Sequence, residues 1–261
     1  MKILPIFFDT SLKKLDSDEI KEREFCKNIG SILFNESFSE SSFIISSEEK
    51  EICLFFRGTI PEFHIFNNYR QKFIEKNPNL KITFVSSLEN HNLINHWFEF
   101  IPKELIKRKL VCFNNYTELY SYIESNPYTK LHVKSVEKNW SFSGYTASFI
   151  RSGIGSNYSG EILLSDYIDI YKDFEFRAFF ISGKLKGVCS IDWEIMSKDL
   201  KDKAFNFLSF HIVPHFKLFE NLKDVVVDFS LTTDNNWVII ELNDPCTSGI
   251  YEGLKYQSLF S

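Results

Sequence analysis

The sequence lacks the features that several common classes of protein require. Its five cysteines are odd in number, scattered and without a C-x-x-C pair, which argues against a zinc ribbon and favours reduced thiols in a cytoplasmic compartment. No apolar run reaches the roughly 20 residues that a membrane-spanning helix needs. A formal net charge of −5 gives no electrostatic reason to expect nucleic-acid binding. No Ser-His-Asp or Cys-His constellation stands out, so an activated side-chain nucleophile is not predicted.

The sequence contains enough apolar residues to form a sizeable hydrophobic core. Hydrophobic residues make up 44% of the 261, which suits one larger domain or two small lobes that share a cleft. Residues 1–126 alternate short strands and helices, and we expect an N-terminal α/β lobe there. In residues 127–261 the sequence pattern changes to one typical of β-hairpins with one intervening helix. We expect a second structural region there. The predicted fold class is α+β.

Individual elements follow from hydrophobic alternation, capping residues and turn signals. Strands are expected at 3–8, 81–86, 130–136, 145–150, 161–165, 174–181, 185–192, 225–232 and 237–243, with two strand-like runs within 42–56. Helices are expected at 17–28, 115–125 and 197–213. Asn115 is the expected N-cap of the second helix, because Glu118 follows it three residues later.

The final hairpin carries the clearest chemical signal. Asp228 interrupts the apolar strand V-V-V-D-F-S-L-T, while Glu241 and Asn243 lie two apart in W-V-I-I-E-L-N and project from one face. If Thr232 and Trp237 close the loop, Asp228 lies directly opposite Glu241, with the carboxylates about 5 Å apart. Like charges so close need a compensating cation, and two carboxylates with an amide oxygen suit Mg²⁺. The alternative is an acidic hairpin that simply faces water.

Cationic side chains occur on the preceding strands. Lys134 lies within K-L-H-V-K-S-V and Lys138 follows it; a lysine on a strand suits contact with nucleotide phosphates. The turn W-S-F-S-G, residues 140–144, offers backbone amides that can approach phosphate oxygens. Arg177 in E-F-R-A-F-F-I-S-G-K-L shares a strand face with Glu175, where a guanidinium suits bidentate phosphate recognition. Surface lysines and a Glu175–Arg177 surface pair are the alternatives.

The order of these motifs resembles the ATP-grasp superfamily. The strand lysine is followed by L-S-D-Y-I-D, E-F-R-A-F-F-I-S-G-K-L, V-V-D-F-S and I-I-E-L-N-D-P-C-T-S-G-I-Y, over about residues 130–254. The sequence is most similar to the phage and bacterial clade of ATP-grasp domain proteins, which resembles the eukaryotic cell-division-cycle chaperones that assemble translation initiation factor two. The resemblance implies two β-rich lobes that sandwich ATP, with an N-terminal α/β lobe that selects the substrate.

The resemblance also implies roles for particular residues. Adenine is expected against the connector that follows residue 164, and Asp166 or Asp169 is the expected ribose contact. The phosphates are expected near the strand lysines and the small-residue turn. The implied nucleotide-binding set comprises Lys134, Lys138, Ser143, Gly144, Ser165, Asp166, Tyr167, Ile168, Asp169 and Arg177. Within it, Lys134 and Arg177 are the expected catalytic residues. Asp228, Glu241 and Asn243 match the family's magnesium positions.

The chemistry that the resemblance implies is phosphorylation of a carboxylate by ATP and attack of an amine on the acyl phosphate. Such chemistry needs positioning and charge neutralisation rather than a side-chain nucleophile. We therefore expect an ATP- and Mg²⁺-dependent carboxylate–amine ligase with unknown substrates, a peptide or protein among the candidates. The alternative is an ATP-binding assembly chaperone for a translation factor or another protein partner, without turnover. The sequence departs from the family in lacking a glycine-rich loop over the phosphates.

Overall fold

Three four-stranded sheets organise the part of the chain that the computed structural model describes. That part comprises residues 2–8, 17–30, 32–34, 39–58, 63–85, 94–126, 128–216 and 222–260. A bilayer-crossing helix, which needs both length and apolar character, does not occur among these residues. Helices and strands occur together throughout, in agreement with the predicted α+β class.

The first sheet is parallel and is built from the N-terminal part of the chain. Its strands are β1 (Lys2–Phe8), β2 (Ile32–Phe34), β3 (Glu51–Arg57) and β4 (Lys81–Phe84), in the order β2-β1-β3-β4. Helix Ser17–Asn28 lies between β1 and β2 in sequence, and helix Phe63–Lys76 lies between β3 and β4. Parallel strands need such crossover connections, which is why this region alternates strands and helices. Residue 86, the expected end of β4, lies outside the described residues.

The second sheet is antiparallel and forms one wall of the site described below. Its strands are β5 (Leu110–Phe113), β6 (Lys130–Ser135), β7 (Ser141–Tyr145) and β8 (Ile162–Asp166), in the order β5-β8-β6-β7. Helices Tyr116–Ser125 and Thr146–Ser152 accompany it. In β6 the side chains of Leu131 and Val133 are buried, so the intervening Lys130, His132 and Lys134 project from the other face.

The third sheet, also antiparallel, forms the opposite wall. Its strands are β9 (Ile170–Ile181), β10 (Lys184–Cys189), β11 (Val225–Thr232) and β12 (Trp237–Asn243), in the order β10-β9-β11-β12. Helices Lys103–Ile106, Lys198–Phe207 and Val213–Phe216 and the π-helical turn Leu208–Ile212 accompany it. Helix Tyr256–Phe260 contacts both β10 and β1 of the first sheet. Its core is aromatic: the rings of Phe176 and Phe229 stack with centroids 5.4 Å apart, and Phe207 and Trp237 stack at 5.6 Å. Ring stacking of this kind adds to the stabilisation from burial.

Two strand predictions are wrong. Of residues 145–150 only Tyr145 pairs with β6, because β7 ends there and the helix Thr146–Ser152 follows. The partner of β6 begins at Ser141 because the hydroxyl of Ser135 accepts the backbone N–H of Asn139 at 2.6 Å and closes a shorter turn. The first strand-like run within 42–56 starts in the 3-10 helix Glu40–Phe43 and forms no strand.

The N-cap of the second predicted helix is confirmed. Helix Tyr116–Ser125 begins after Asn115, whose side-chain oxygen accepts the N–H of Glu118 at 3.0 Å. The division of the chain between residues 126 and 127 stays a prediction. β5 and this helix lie before that division, yet β5 pairs with β8 on the far side of it.

Candidate nucleotide and metal site

A cavity of about 440 Å³ lies between the second and third sheets. Its walls come from β6, β7 and β8 on one side and from β9 and β12 on the other, with the connector after β8 at one end. Seven of the expected nucleotide-binding residues line it: Lys134, Lys138, Ser143, Ser165, Asp166, Tyr167 and Ile168. Gly144, Asp169 and Arg177 lie outside this lining.

The connector end of the cavity is largely apolar. Leu110, Leu163, Ile170 and Ile240 line it together with residues 165–168, which gives a flat purine an apolar slot beside exposed backbone groups. The carboxylate of Asp166 already accepts the backbone N–H of Lys109 at 3.0 Å, so it fixes the start of β5.

The backbone of Asp169 holds the connector in place. Its carbonyl oxygen accepts the backbone N–H of Thr233 at 2.9 Å, which ties the connector to the loop between β11 and β12. A part in ribose binding stays a prediction for both Asp166 and Asp169.

Three charged side chains form a row across the third sheet. The strand register places Arg177 of β9 opposite Asp228 of β11, and Asp228 opposite Glu241 of β12. The expected pairing of the two acidic residues is therefore confirmed. Residues directly opposite each other in an antiparallel pair share one face of the sheet, so a cation and two carboxylates lie side by side at the floor of the cleft.

Each carboxylate in the row has a cationic partner. Arg177 donates from Nε to Oδ1 and from Nη2 to Oδ2 of Asp228, both at 2.8 Å. Nζ of Lys134 crosses the cleft from β6 and donates to Oε2 of Glu241 at 2.5 Å, and Nζ of Lys138 lies 3.5 Å from the same oxygen. The Glu175–Arg177 surface pair, the alternative for Arg177, is not what forms.

Asn243 links the two carboxylates. Its Nδ2 donates to Oδ2 of Asp228 at 2.8 Å and to Oε1 of Glu241 at 3.1 Å, while its Oδ1 accepts from Nζ of Lys138. Two carboxylates and an amide are a set that suits Mg²⁺, and a half-turn of the amide brings Oδ1 to the position of Nδ2. The described residues contain no group of three or more His, Cys, Asp or Glu side chains able to hold a metal, so a metal here relies on the amide.

In the row and beside it, ionic partners oppose the effect of burial on the pKa of each group. Burial raises the pKa of Glu241, but Lys134 and Lys138 outweigh it and lower that pKa to about 2. Burial also raises the pKa of Asp228, against the lowering by Arg177. Burial and the charge of Lys134 lower the pKa of Lys138, against the raising by Glu241. The site thus contains two carboxylates and three cationic side chains that pair with one another. A bound nucleotide can replace the carboxylates as partners of the cations, and a bound metal can replace the cations as partners of the carboxylates.

The cavity also contains residues to which sequence patterns gave no site role, among them Arg108, His132, Trp140 and Glu175. Arg108 donates to the carbonyl oxygens of Ile239 at 3.0 Å and Ile240 at 2.6 Å, and burial lowers its pKa to about 10. Nothing in the basic run around it indicates this contact. His132 lies two residues before Lys134, so strand alternation alone could have identified it.

The indole of Trp140 is a further feature of the cavity. Its Nε1 is buried and has no hydrogen-bond partner in the described part of the chain, and a buried donor in that state is costly. Its ring packs edge-on against Tyr158 with centroids 5.9 Å apart.

Two lobes closing on a cleft that holds lysines, an acidic hairpin and an apolar slot define the ATP-grasp class of fold. The chain belongs to the ATP-grasp domain family, R2K clade family 2, whose model matches residues 108–259, more than half of the chain. The resemblance drawn from the sequence motifs is confirmed at the level of the superfamily. A search of the curated proteins finds no sequence match.

Solved structures of similar fold cover almost the whole chain. The D-cycloserine synthetase DcsG is 13% identical with a TM-score of 0.57, and the match covers 98% of each chain. A RimK domain ATP-grasp protein from Sphaerobacter thermophilus is 11% identical with a TM-score of 0.55, covering 94% of this chain and 92% of that one. The macrocyclase MdnC from Microcystis aeruginosa, bound with precursor peptide MdnA, is 12% identical with a TM-score of 0.52, covering 93% and 91%. At these identities the likeness establishes the fold.

Proposed function

We propose that the chain is an ATP- and Mg²⁺-dependent ligase that joins a carboxylate to an amine through an acyl phosphate. The observation that carries the proposal is the convergence of Lys134 and Lys138 with Asp228, Glu241 and Asn243 beside an apolar slot. Membership of the ATP-grasp family supports the same conclusion. The five cysteines are free, which suits a reducing cytoplasmic compartment.

Different residues of the cavity bind different parts of the nucleotide. The apolar slot takes the base, while Lys134 and Lys138 turn from Glu241 and Asn243 to the phosphate oxygens. That exchange leaves the carboxylates of Asp228 and Glu241 free to hold a divalent cation. Mg²⁺, when bound, would neutralise the charge that develops on the transferring phosphoryl group. Arg177 remains beside Asp228 at the end of the row, where its guanidinium faces the transferred group.

The proposed reaction has two steps. In the first, a carboxylate oxygen attacks the γ-phosphorus, the bond from that phosphorus to the bridging oxygen breaks, and ADP leaves. In the second, a neutral amine nitrogen attacks the acyl carbon, the bond to the phosphate oxygen breaks, and the amine proton leaves with the phosphate. An amine that binds as an ammonium first loses one proton to solvent. Neither step needs a side-chain nucleophile.

A peptide or protein is the substrate class that we propose to test first. The structure of MdnC, which shares the fold, holds a precursor peptide. Peptides supply both a carboxylate and an amine, and their side chains can carry either group.

Calorimetry with ATP and Mg²⁺ tests the site. We expect wild type to bind MgATP and the variant Asp228→Ala/Glu241→Ala to bind it at least tenfold more weakly, because charge-assisted contacts contribute about 1.5–3 kcal/mol each. Glu48→Ala/Glu49→Ala, which removes two exposed acidic residues of the N-terminal part, is the matched control. Equal affinity in the first variant and in wild type would contradict the proposed site.

Turnover is tested separately. Candidate peptides are incubated with MgATP and hydroxylamine, a general amine nucleophile that converts an acyl phosphate into a hydroxamate. We expect ADP and hydroxamate to form in equal amounts. Tight MgATP binding without ADP formation, together with nucleotide-dependent capture of a translation factor, would favour the assembly chaperone instead.

A further inference from the structure

A second, smaller cavity adjoins the nucleotide cavity. It has a volume of about 110 Å³ and lies between β9, the segment that follows β10, and Tyr251. Glu175 lines both cavities, so its side chain lies in the wall between them. Arg177 and Asp228, the first two members of the charged row, also line the smaller cavity. A group bound there lies next to the place where the phosphoryl group is expected.

The lining of the smaller cavity has an excess of negative charge. It contains the carboxylates of Glu175, Asp192 and Asp228 and one cation, the guanidinium of Arg177. Arg177 is already engaged by both oxygens of Asp228. The carboxylates of Glu175 and Asp192 form no ion pair or side-chain hydrogen bond with any described residue. Burial and the carboxylates of Asp228 and Glu241 raise the pKa of Glu175 against the charge of Arg177, so a cation beside Glu175 and Asp192 is favoured over an anion.

The segment that carries Asp192 is held in place by hydrogen bonds to backbone carbonyl oxygens and by packing of its neighbour Trp193. The hydroxyl of Ser190 donates to the carbonyl oxygen of Glu175 at 2.6 Å, and the N–H of Ser190 donates to the carbonyl oxygen of Glu252 at 3.0 Å. Trp193 packs directly on Gly253, where an added Cβ would lie 2.3 Å from the indole ring. The segment is thus held on two sides, and Asp192 is positioned before any ligand arrives.

We propose that the smaller cavity binds the ammonium head group of the amine substrate, held by the carboxylates of Glu175 and Asp192. This inference rests on the proposed ligase function and specifies its acceptor as a primary amine. The volume accommodates an ammonium group and a few carbon atoms. Ile191 also lines the cavity and is 68% exposed, so it offers an apolar contact to the aliphatic stem at the mouth. The carboxylate substrate, which the same charges repel, approaches from elsewhere in the cleft.

Three probes of equal length test the charge preference. Butylammonium, butan-1-ol and butyrate are titrated against the full chain by saturation-transfer NMR, first without nucleotide and then with Mg²⁺ and a non-hydrolysable ATP analogue. We expect butylammonium to bind, and butan-1-ol and butyrate to bind at least tenfold more weakly. Equal or tighter binding of butyrate would overturn the assignment, and this result depends on no variant.

Two isosteric variants locate the binding. We expect Asp192→Asn and Glu175→Gln each to weaken butylammonium binding about tenfold, the effect of losing one charge-assisted contact. Glu194→Gln removes an exposed carboxylate from the same segment but outside the cavity, and we expect it to bind butylammonium as wild type does. Unchanged binding in both cavity variants would overturn the proposal.

Two further outcomes are distinguishable. Displacement of butylammonium by equimolar Mg²⁺ in the absence of nucleotide would show a metal subsite instead of an amine site, and would also overturn the proposal. Absence of MgATP binding in calorimetry would contradict the ligase function. Because the first titration contains no nucleotide, its result reports on the smaller cavity whichever way the nucleotide experiment turns out.

Discussion

Arg57 and Glu22 form a buried bidentate ion pair that joins β3 to the helix Ser17–Asn28. Nε of Arg57 donates to Oε1 of Glu22 at 2.6 Å, and Nη2 donates to Oε2 at 3.0 Å. The same guanidinium donates to the carbonyl oxygens of Pro245 and Ser248. The carbonyl oxygen of Gly249, one residue further on, accepts from Nη1 of Arg177 at 3.2 Å. The N-terminal part of the chain thereby supports the segment that positions the arginine of the candidate site.

The first prediction concerns this ion pair. Arg57 is 3% exposed, so Glu22→Gln leaves a buried guanidinium without its counter-charge, which typically costs about 3–5 kcal/mol. We expect a loss of stability of that order, measured as the midpoint of urea unfolding followed by circular dichroism. We also expect weaker MgATP binding, because the segment carrying Gly249 loses its anchor.

Glu51→Gln is the matched control for the buried pair. Glu51 pairs with Lys81 at 2.7 Å, but both side chains are more than half exposed. An exposed pair contributes at most about 1 kcal/mol, so this variant should unfold close to the wild-type midpoint. Equal effects of the two substitutions would show that burial of the Arg57 guanidinium does not control its contribution.

The second prediction concerns Gly155, on which the ring of Trp140 rests. Gly155 has φ +78°, and a Cβ there would lie 2.3 Å from the indole ring. Gly155→Ala therefore combines backbone strain with displacement of a side chain that lines the nucleotide cavity, and we expect weaker MgATP binding by calorimetry. Gly30→Ala is the control, since Gly30 has φ +79° and open space around it. The backbone strain of about 1–2 kcal/mol is common to both variants, so equal nucleotide affinities would contradict a role for Trp140.

The acidic hairpin shows how far local sequence determines a site. The register was expected to run from Thr232 opposite Trp237, but Leu231 takes that place. A bulge at Ile240 then shifts the register by one residue and restores Asp228 opposite Glu241. Loop length alone does not reveal a bulge. The expected acidic pair therefore forms because the bulge offsets the one-residue difference at the loop.

The partners of that pair depend on contacts that sequence patterns do not encode. Lys134, whose expected phosphate contact stays a prediction, reaches Glu241 across the cleft. Arg108 satisfies the carbonyl oxygens of Ile239 and Ile240 on the bulged strand from 131 residues away in sequence. Both contacts arise from the packing of one sheet over another. The alternation of side chains along a strand predicts the face of the sheet on which a residue lies. The spacing and angle between two sheets determine which residues of the other sheet it contacts.

The third prediction concerns linkage between metal and nucleotide. Lys134 and Arg177 already neutralise the carboxylates of Glu241 and Asp228, so Mg²⁺ alone must compete with both. We expect Mg²⁺ to bind at least tenfold more tightly in the presence of a non-hydrolysable ATP analogue, measured by calorimetry. Linkage requires that Mg²⁺ strengthen binding of the analogue by the same factor.

The variant Lys134→Met distinguishes the effect of Lys134 on Mg²⁺ affinity from its effect on nucleotide affinity. It removes the closer of the two cations beside Glu241, the other being Lys138 at 3.5 Å. We expect this variant to bind Mg²⁺ alone more tightly than wild type and to bind the nucleotide analogue more weakly. Lys203→Met, which removes an exposed lysine paired with Asp199, should change neither. A parallel loss of both affinities in Lys134→Met would contradict the exchange of partners.

The last prediction concerns acid stability and His132. Burial, together with the charges of Lys134 and Arg108, lowers the pKa of His132 from 6.5 to about 4. The unfolded chain therefore binds a proton at this residue between about pH 6.5 and 4, where the folded chain does not. The contribution of the neutral imidazole to stability is fully present above pH 6.5 and is lost as the pH falls through that window.

His132→Gln should flatten the dependence of unfolding free energy on pH in that window. The difference in slope from wild type is somewhat under about 1.4 kcal/mol per pH unit, because the side chain is half-buried and solvent screens part of the effect. Urea unfolding at several values between pH 7.5 and 4.5 measures it, with His211→Gln as the control for loss of an exposed histidine. A wild-type slope in His132→Gln would mean that the pKa of the imidazole is the same in the folded and the unfolded chain. In that case His132 would be a fourth cation of the cavity and would strengthen phosphate binding at low pH, which nucleotide calorimetry at pH 5.5 and 7.5 would detect.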